Sequence, residues 1–144
     1  MGQRAPALGA QRVRRAILAG VAALGMVAGV YLFSGGDQQG VIVDVLVPPL
    51  DAEEQHGAEL YARNCASCHG DNGAGREGVG PPLVHIIYEP SHHPNGAFYA
   101  AVQLGVRAHH WEYGDMPRQS HVAEPEITQI IAYIRALQRA NGIH

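Results

Sequence analysis

The apolar positions of this chain follow three different rhythms. From Ala16 to Phe33 they run together, in "AILAGVAALGMVAGVYLF", without a single charge. From Ile127 to Leu137 they recur at three and four, through Ile130, Ile131 and Ile134, which is the stripe of a helix with one buried face. Between these two runs the rhythm breaks repeatedly. "VIVDVLVPPL" (41–50) is β-branched and ends in two prolines, so it reads as an extended segment lying on a domain, not a central strand. Asp51, with Glu54 three residues on, predicts a capping box and a helix to about Asn64 that turns Leu60 and Tyr61 inward. Asn95 predicts the cap of a short helix, "GAFYAAVQL", closed by Gly105. Pro125 suits the start of the last helix, and Asn141-Gly142 its end.

The expected fold class is all-α, with three to four helices joined by long loops. From Gly70 to about Gly96, and again through "VRAHHWEYGDMPRQSHVA", glycine and proline punctuate the chain and no periodic run appears. Loops this long need a core to lie against. Aromatic residues make up only 6% of the chain. A buried prosthetic group would supply the missing apolar mass.

Charge then divides the molecule. Residues 1–33 carry Arg4, Arg12, Arg14 and Arg15 and no acid, a charge of +4, while the remainder carries −7. The apolar run would form a helix of roughly 27 Å, close to the thickness of a hydrocarbon core. The arginines hold its start in the cytoplasm. The expected organisation is therefore a basic cytoplasmic segment 1–15, a single-pass transmembrane signal anchor 16–33, a linker 34–50 and a domain 51–144 on the periplasmic or outer face. A cleaved signal peptide is the rival for the first segment, with Ser34-Gly35-Gly36 as its small residues. Either way the domain lies outside the cytoplasmic membrane. An acidic body excludes nucleic-acid binding, which wants a basic patch.

The chemistry is concentrated in "NCASCHGDNG" (64–73), which holds both cysteines of the chain. A structural zinc site needs four ligands, and the second C-x-x-C pair is missing. A redox dithiol needs a βαβ setting, and no parallel strands are predicted. C-x-x-C-H remains, the attachment signature of c-type haem. Cys65 and Cys68 would each form a thioether to one porphyrin and His69 would ligate its iron. Haem iron in an electron carrier commonly takes a methionine as its other ligand. Met1 is the initiator and Met26 lies in the apolar run, which leaves Met116.

At these residues the chain resembles a small monohaem cytochrome c, over about residues 51 to 141. "GAELYARNCASCHG" resembles that family's first helix, with Gly57 at its close helix contact. "GVGPPL" resembles the loop whose proline carbonyl holds the proximal imidazole N–H, which implies Pro81 for that carbonyl and Leu83 against the haem. "GDMP" resembles the methionine loop. "IIAYIRAL" resembles the last helix, which implies that Tyr133 meets Gly57 and Tyr61. The resemblance implies one covalent haem c, His69 and Met116 as metal ligands, and a one-electron carrier of a respiratory or related electron-transport chain. A membrane complex would be its donor and an oxidase or reductase its acceptor. The chain departs from the pattern in having no lysine, which puts a lysine-dependent docking scheme in doubt.

Histidine is also unusually frequent: His85, His92, His93, His109, His110 and His121 lie in the body beside His69. They admit three readings: surface and haem-edge hydrogen bonding, a second metal held by His92, His93, His109 and His110, or one imidazole in place of Met116. Trp111 and Tyr113 suit a haem propionate through their N–H and O–H. Arg107 and Arg118 are further candidates for that carboxylate. Two other functions stay open: a haem enzyme or redox or gas sensor with a labile sixth ligand, and a histidine-rich metal-handling module.

Overall fold

Asp51 opens the first helix as its cap. The Glu54 N–H donates to Asp51 Oδ1 at 2.9 Å, and the Asp51 N–H donates to Glu54 Oε2 at 3.1 Å. The computed structural model describes residues 42–144. The segments 1–15 and 16–33 and the spacer as far as residue 41 lie outside the described residues, and with them the predicted transmembrane helix. Among the described residues no helix is long and apolar enough to cross a membrane.

Helix α1 runs Ala52–Asn64 and is followed by one further helical turn, α2, Ala66–His69. Helix α3 covers Asn95–Leu104 and α4 covers Glu124–Ala140. Two 3₁₀ turns, Asp71–Gly73 and Ile86–Tyr88, sit in the loops. Among the described residues there is no strand, only the isolated bridges Arg76–Gly80 and Val106–Met116. The described part is all-α, as expected.

The crossing of α1 and α4 sets the frame. A Cβ on Gly57 would lie 2.1 Å from the Gln129 carbonyl oxygen and 3.0 Å from Tyr133 Cβ, so the two backbones touch there. One turn on, the rings of Tyr61 and Tyr133 pack with centroids 5.6 Å apart. Their hydroxyls tie this crossing to the loop behind it: Tyr61 donates to Gly70 O at 2.9 Å and Tyr133 to Asn72 Oδ1 at 2.7 Å. The predicted stripe of α4 is buried from Ile127 to Leu137. Each such aliphatic side chain contributes roughly 1.5–3 kcal/mol by leaving water.

One sequence expectation changes and another is met. Asn95 does not cap α3: it already lies inside the helix, and Pro94 holds the extended position before it. Its Oδ1 instead accepts from Arg135 Nε at 3.0 Å. Residues 42–50, read as an extended segment lying on the domain, are fastened to it. The N–H groups of Ile42 and Val43 donate to Ala74 O at 3.3 and 3.0 Å. Leu46 and Asn141 exchange two hydrogen bonds, of 2.9 and 2.8 Å, and Val45 and Leu50 pack against the core.

Candidate functional site

Helix α1 delivers Cys65, whose N–H donates to Tyr61 O at 2.8 Å, and α2 carries the chain through Cys68 to His69. Gly70 then reverses direction at φ 72°, where a Cβ would lie 2.3 Å from Gly75 O. The loop after it closes on itself, with Arg76 and Gly80 exchanging backbone bonds of 2.9 and 3.0 Å. Arg76 Nη1 reaches back to Ser67 O at 2.8 Å. Gly80 passes so near the cysteine turn that a Cβ would meet Cys68 O at 2.5 Å. This chain path brings Pro81 O to 2.9 Å from His69 Nδ1. A carbonyl can only accept, so Nδ1 carries the proton and Nε2 keeps its lone pair. That is the tautomer and the orientation that a metal-binding imidazole needs.

Burial lowers the His69 pKa against the opposing hydrogen bond to Pro81, so the ring is neutral. Burial, helped by the neighbouring Cys68, pushes the Cys65 thiol up to about 11. Both sulfurs are free, with Cys65 half-buried and Cys68 exposed.

Met116 arrives on a loop hinged at its two ends. Val106 and Met116 exchange backbone hydrogen bonds of 3.0 and 2.9 Å. Gly105 ends α3 at φ 78°, and a Cβ there would lie 2.7 Å from Met116 O, so the bridge needs glycine beside it. The Gln119 N–H donates to Val102 O at 2.7 Å and holds the return strand of the loop to α3.

These segments enclose a cavity of about 360 Å³ lined by Cys65, His69, Pro81, Leu83, Trp111 and Met116. Cys68 is not among its lining residues. Phe98 and Val102 of α3 and Ile127, Ile130, Ile131 and Ile134 of α4 form its apolar walls. The α4 stripe therefore serves the core and the cavity together. An apolar cleft with the free Nε2 of His69, the thioether of Met116 and the thiol of Cys65 in its lining suits a flat, largely apolar macrocycle carrying a metal. A thioether and an imidazole are the donor pair of electron-transferring haem iron.

Some wall and support residues were not anticipated. Tyr88 and Phe98 line the cavity. Arg135 is buried, donates to Tyr88 O at 2.8 Å and to His93 O, and lies 4.9 Å over the Phe98 ring. Its signal was present, because Arg135 and Gln138 stand four residues after Ile131 and Ile134, on the buried face. Trp111, expected at a propionate, gives its N–H to the Tyr88 hydroxyl at 3.1 Å. Arg107 and Arg118 are exposed, and His93, His109 and His110 join the cavity lining while His85, His92 and His121 do not.

Fold and cavity together define a helical domain of the C-x-x-C-H, haem-holding class. The family model described as Cytochrome c matches residues 54–138, and the chain belongs to the cytochrome c family. That family carries covalently bound haem c and works in electron transfer, and Cys65, Cys68 and His69 stand at its attachment spacing.

Proposed function

We propose that the chain is a membrane-anchored, one-electron carrier with a single haem c, attached through Cys65 and Cys68 and ligated by His69 and Met116. The observation that carries this reading is the 2.9 Å contact of His69 Nδ1 with Pro81 O, which leaves Nε2 as the free donor in a cavity that Met116 also lines. The haem supplies an iron that changes charge by one unit. The chain's own residues do the rest. Pro81 fixes the His69 ring and makes it a better donor. The Met116 thioether favours the reduced iron and occupies the position where a small ligand would otherwise bind. Leu83 and the α3 and α4 side chains keep water from the centre, and the half-buried lining leaves one edge within reach of a partner protein.

Residues 16–33 would hold this domain at the periplasmic or outer face of the cytoplasmic membrane. The partners would be a membrane complex as donor and an oxidase or reductase as acceptor. An acidic, lysine-free body predicts that those partners present basic docking surfaces. The test is the visible spectrum of the oxidised and reduced protein beside Met116→Ala. The weak far-red band of thioether-ligated ferric haem is expected in the wild type and absent from the variant. If the variant keeps it, or the reduced wild type binds carbon monoxide readily, Met116 is not the ligand and the enzyme or sensor reading takes over.

A further inference from the structure

Two pairs of histidines, far apart in sequence, meet beside the cavity. His92 and His93 follow the Ile86–Tyr88 turn, while His109 and His110 lie in the loop that leads to Met116. The two loops are braced as one unit. Trp111 Nε1 donates to the Tyr88 hydroxyl at 3.1 Å across them. Arg135 donates to Tyr88 O and to His93 O from α4, and Gln138 Nε2 adds a bond to Tyr88 O at 3.2 Å. On the other loop, the Ala108 N–H donates to Asp115 Oδ1 at 2.8 Å.

This bracing puts one ring nitrogen from each of His92, His93 and His110 within 4.8 Å of one another. The ring centroids are 4.7 Å apart for His92 and His93, and 5.4 Å for His110 with either. His93 gives its Nδ1 to Ile87 O at 2.6 Å, so its Nε2 is free and its ring is aimed. His92 and His110 are exposed and can turn toward it. Tetrahedral coordination at about 2.0–2.1 Å puts ligand nitrogens roughly 3.3 Å apart, so a modest rotation of two exposed rings completes the set. Three imidazoles without a carboxylate select copper, zinc and their neighbours over calcium or magnesium.

We propose that His92, His93 and His110 form a three-imidazole site for a borderline divalent metal ion at the rim of the cavity, with Cu(II) bound more tightly than Zn(II). Affinity in this order follows from the general ranking of first-row divalent ions. The site is separate from His69 and Met116, and it does not rest on the ligation proposed for them.

The test uses the full chain with its haem attached. Cu(II) is added in the presence of glycine as a weak competing chelator, free metal is removed, and copper and iron per chain are measured together. The wild type is expected to keep one copper per iron, with splitting from imidazole nitrogens in its electron paramagnetic resonance spectrum. Zn(II) is expected to displace it only in excess. His92→Ala and His110→Ala should each lower copper affinity by at least about 10–100-fold, the loss that even outlying partners of metal ligands cause. His121→Ala, exposed and outside the set, should bind as the wild type does. An unchanged visible spectrum in His92→Ala, whose imidazole lies outside the cavity lining, separates lost metal from lost fold. Copper retained equally by the variants, or none retained by the wild type against glycine, overturns the proposal.

Discussion

On the side of Cys65 and His69 the backbone itself closes the structure: Gly57 lets α1 touch α4, Gly70 and Gly80 let the chain fold against its own carbonyls, and Pro81 O meets the imidazole. On the other side, main-chain bonds close the Met116 loop only at its base, at Val106 and Gln119, and the two histidine-bearing segments are held by side chains. Arg135 and Gln138 reach out of α4 to hold one loop, and Trp111 and Asp115 hold the other. The first side has no room to move without breaking main-chain contacts. The second can change its side-chain contacts while the frame stands. A carrier that must keep one ligand fixed, and present one edge to partners, is well served by that division.

The strongest way to break the contrast is to force the frame apart. Gly57→Ala puts a methyl 2.1 Å from a backbone oxygen, which no rotamer can relieve. It should cost roughly 3 kcal/mol or more, the upper range of overpacking, read as the shift in urea midpoint of the haem-loaded protein. A loss below about 1 kcal/mol would show that the crossing is softer than its geometry says.

Arg135→Met attacks the other side and should cost less, about 1–3 kcal/mol, because the His93 carbonyl loses its donor and the Tyr88 carbonyl keeps only that of Gln138. The location of the damage matters more than its size. Amide exchange should speed up across residues 85–94 and stay unchanged around Gly57 and Tyr61. Uniform acceleration would mean that the two sides unfold as one.

Tyr133→Phe removes the hydroxyl that donates to Asn72 Oδ1 at 2.7 Å and keeps the ring against Tyr61. It should cost about 1 kcal/mol, a single net hydrogen bond, measured by the same urea titration. The Tyr133 hydroxyl is one of two that link the helix crossing to the loop after His69, so its removal tests how much of that link is polar.

The gentlest effect is that of pH. Burial holds His69 below its ordinary 6.5, and with its Nε2 on iron the folded ring would take up no proton, so the unfolded chain takes one up first as pH falls through that value. Stability is then full above about pH 6.5 and declines below it. His110 is shifted the same way, by desolvation and by its imidazole neighbours His109, His93 and His92. A urea series between about pH 7.5 and 5.5 should therefore keep most of its slope in His110→Ala, and a flat series there would remove His69 as the cause.

The contrast also decides what the sequence made legible. The capping box of Asp51 and Glu54 and the stripe from Ile127 to Leu137 are local patterns, and both were read directly. The contact of His69 with Pro81 was implied by resemblance and spans only a short loop. Arg135 and Gln138 were missed because their charge and polarity masked a rhythm that puts them on the buried face. Asn95 was misread because its partner, Arg135, lies forty residues on, and a side chain with a distant partner looks like a free cap. Residues 42–50 were legible as an extended segment on the domain, but not what holds them there, because their partners, Ala74 and Asn141, are remote in sequence.

The fastening of that last segment makes it a strap. It joins Ala74, in the loop after His69, to Asn141, at the end of α4, so a pull applied at Ile42 would be borne by two distant parts of the domain at once and not by the start of α1 alone.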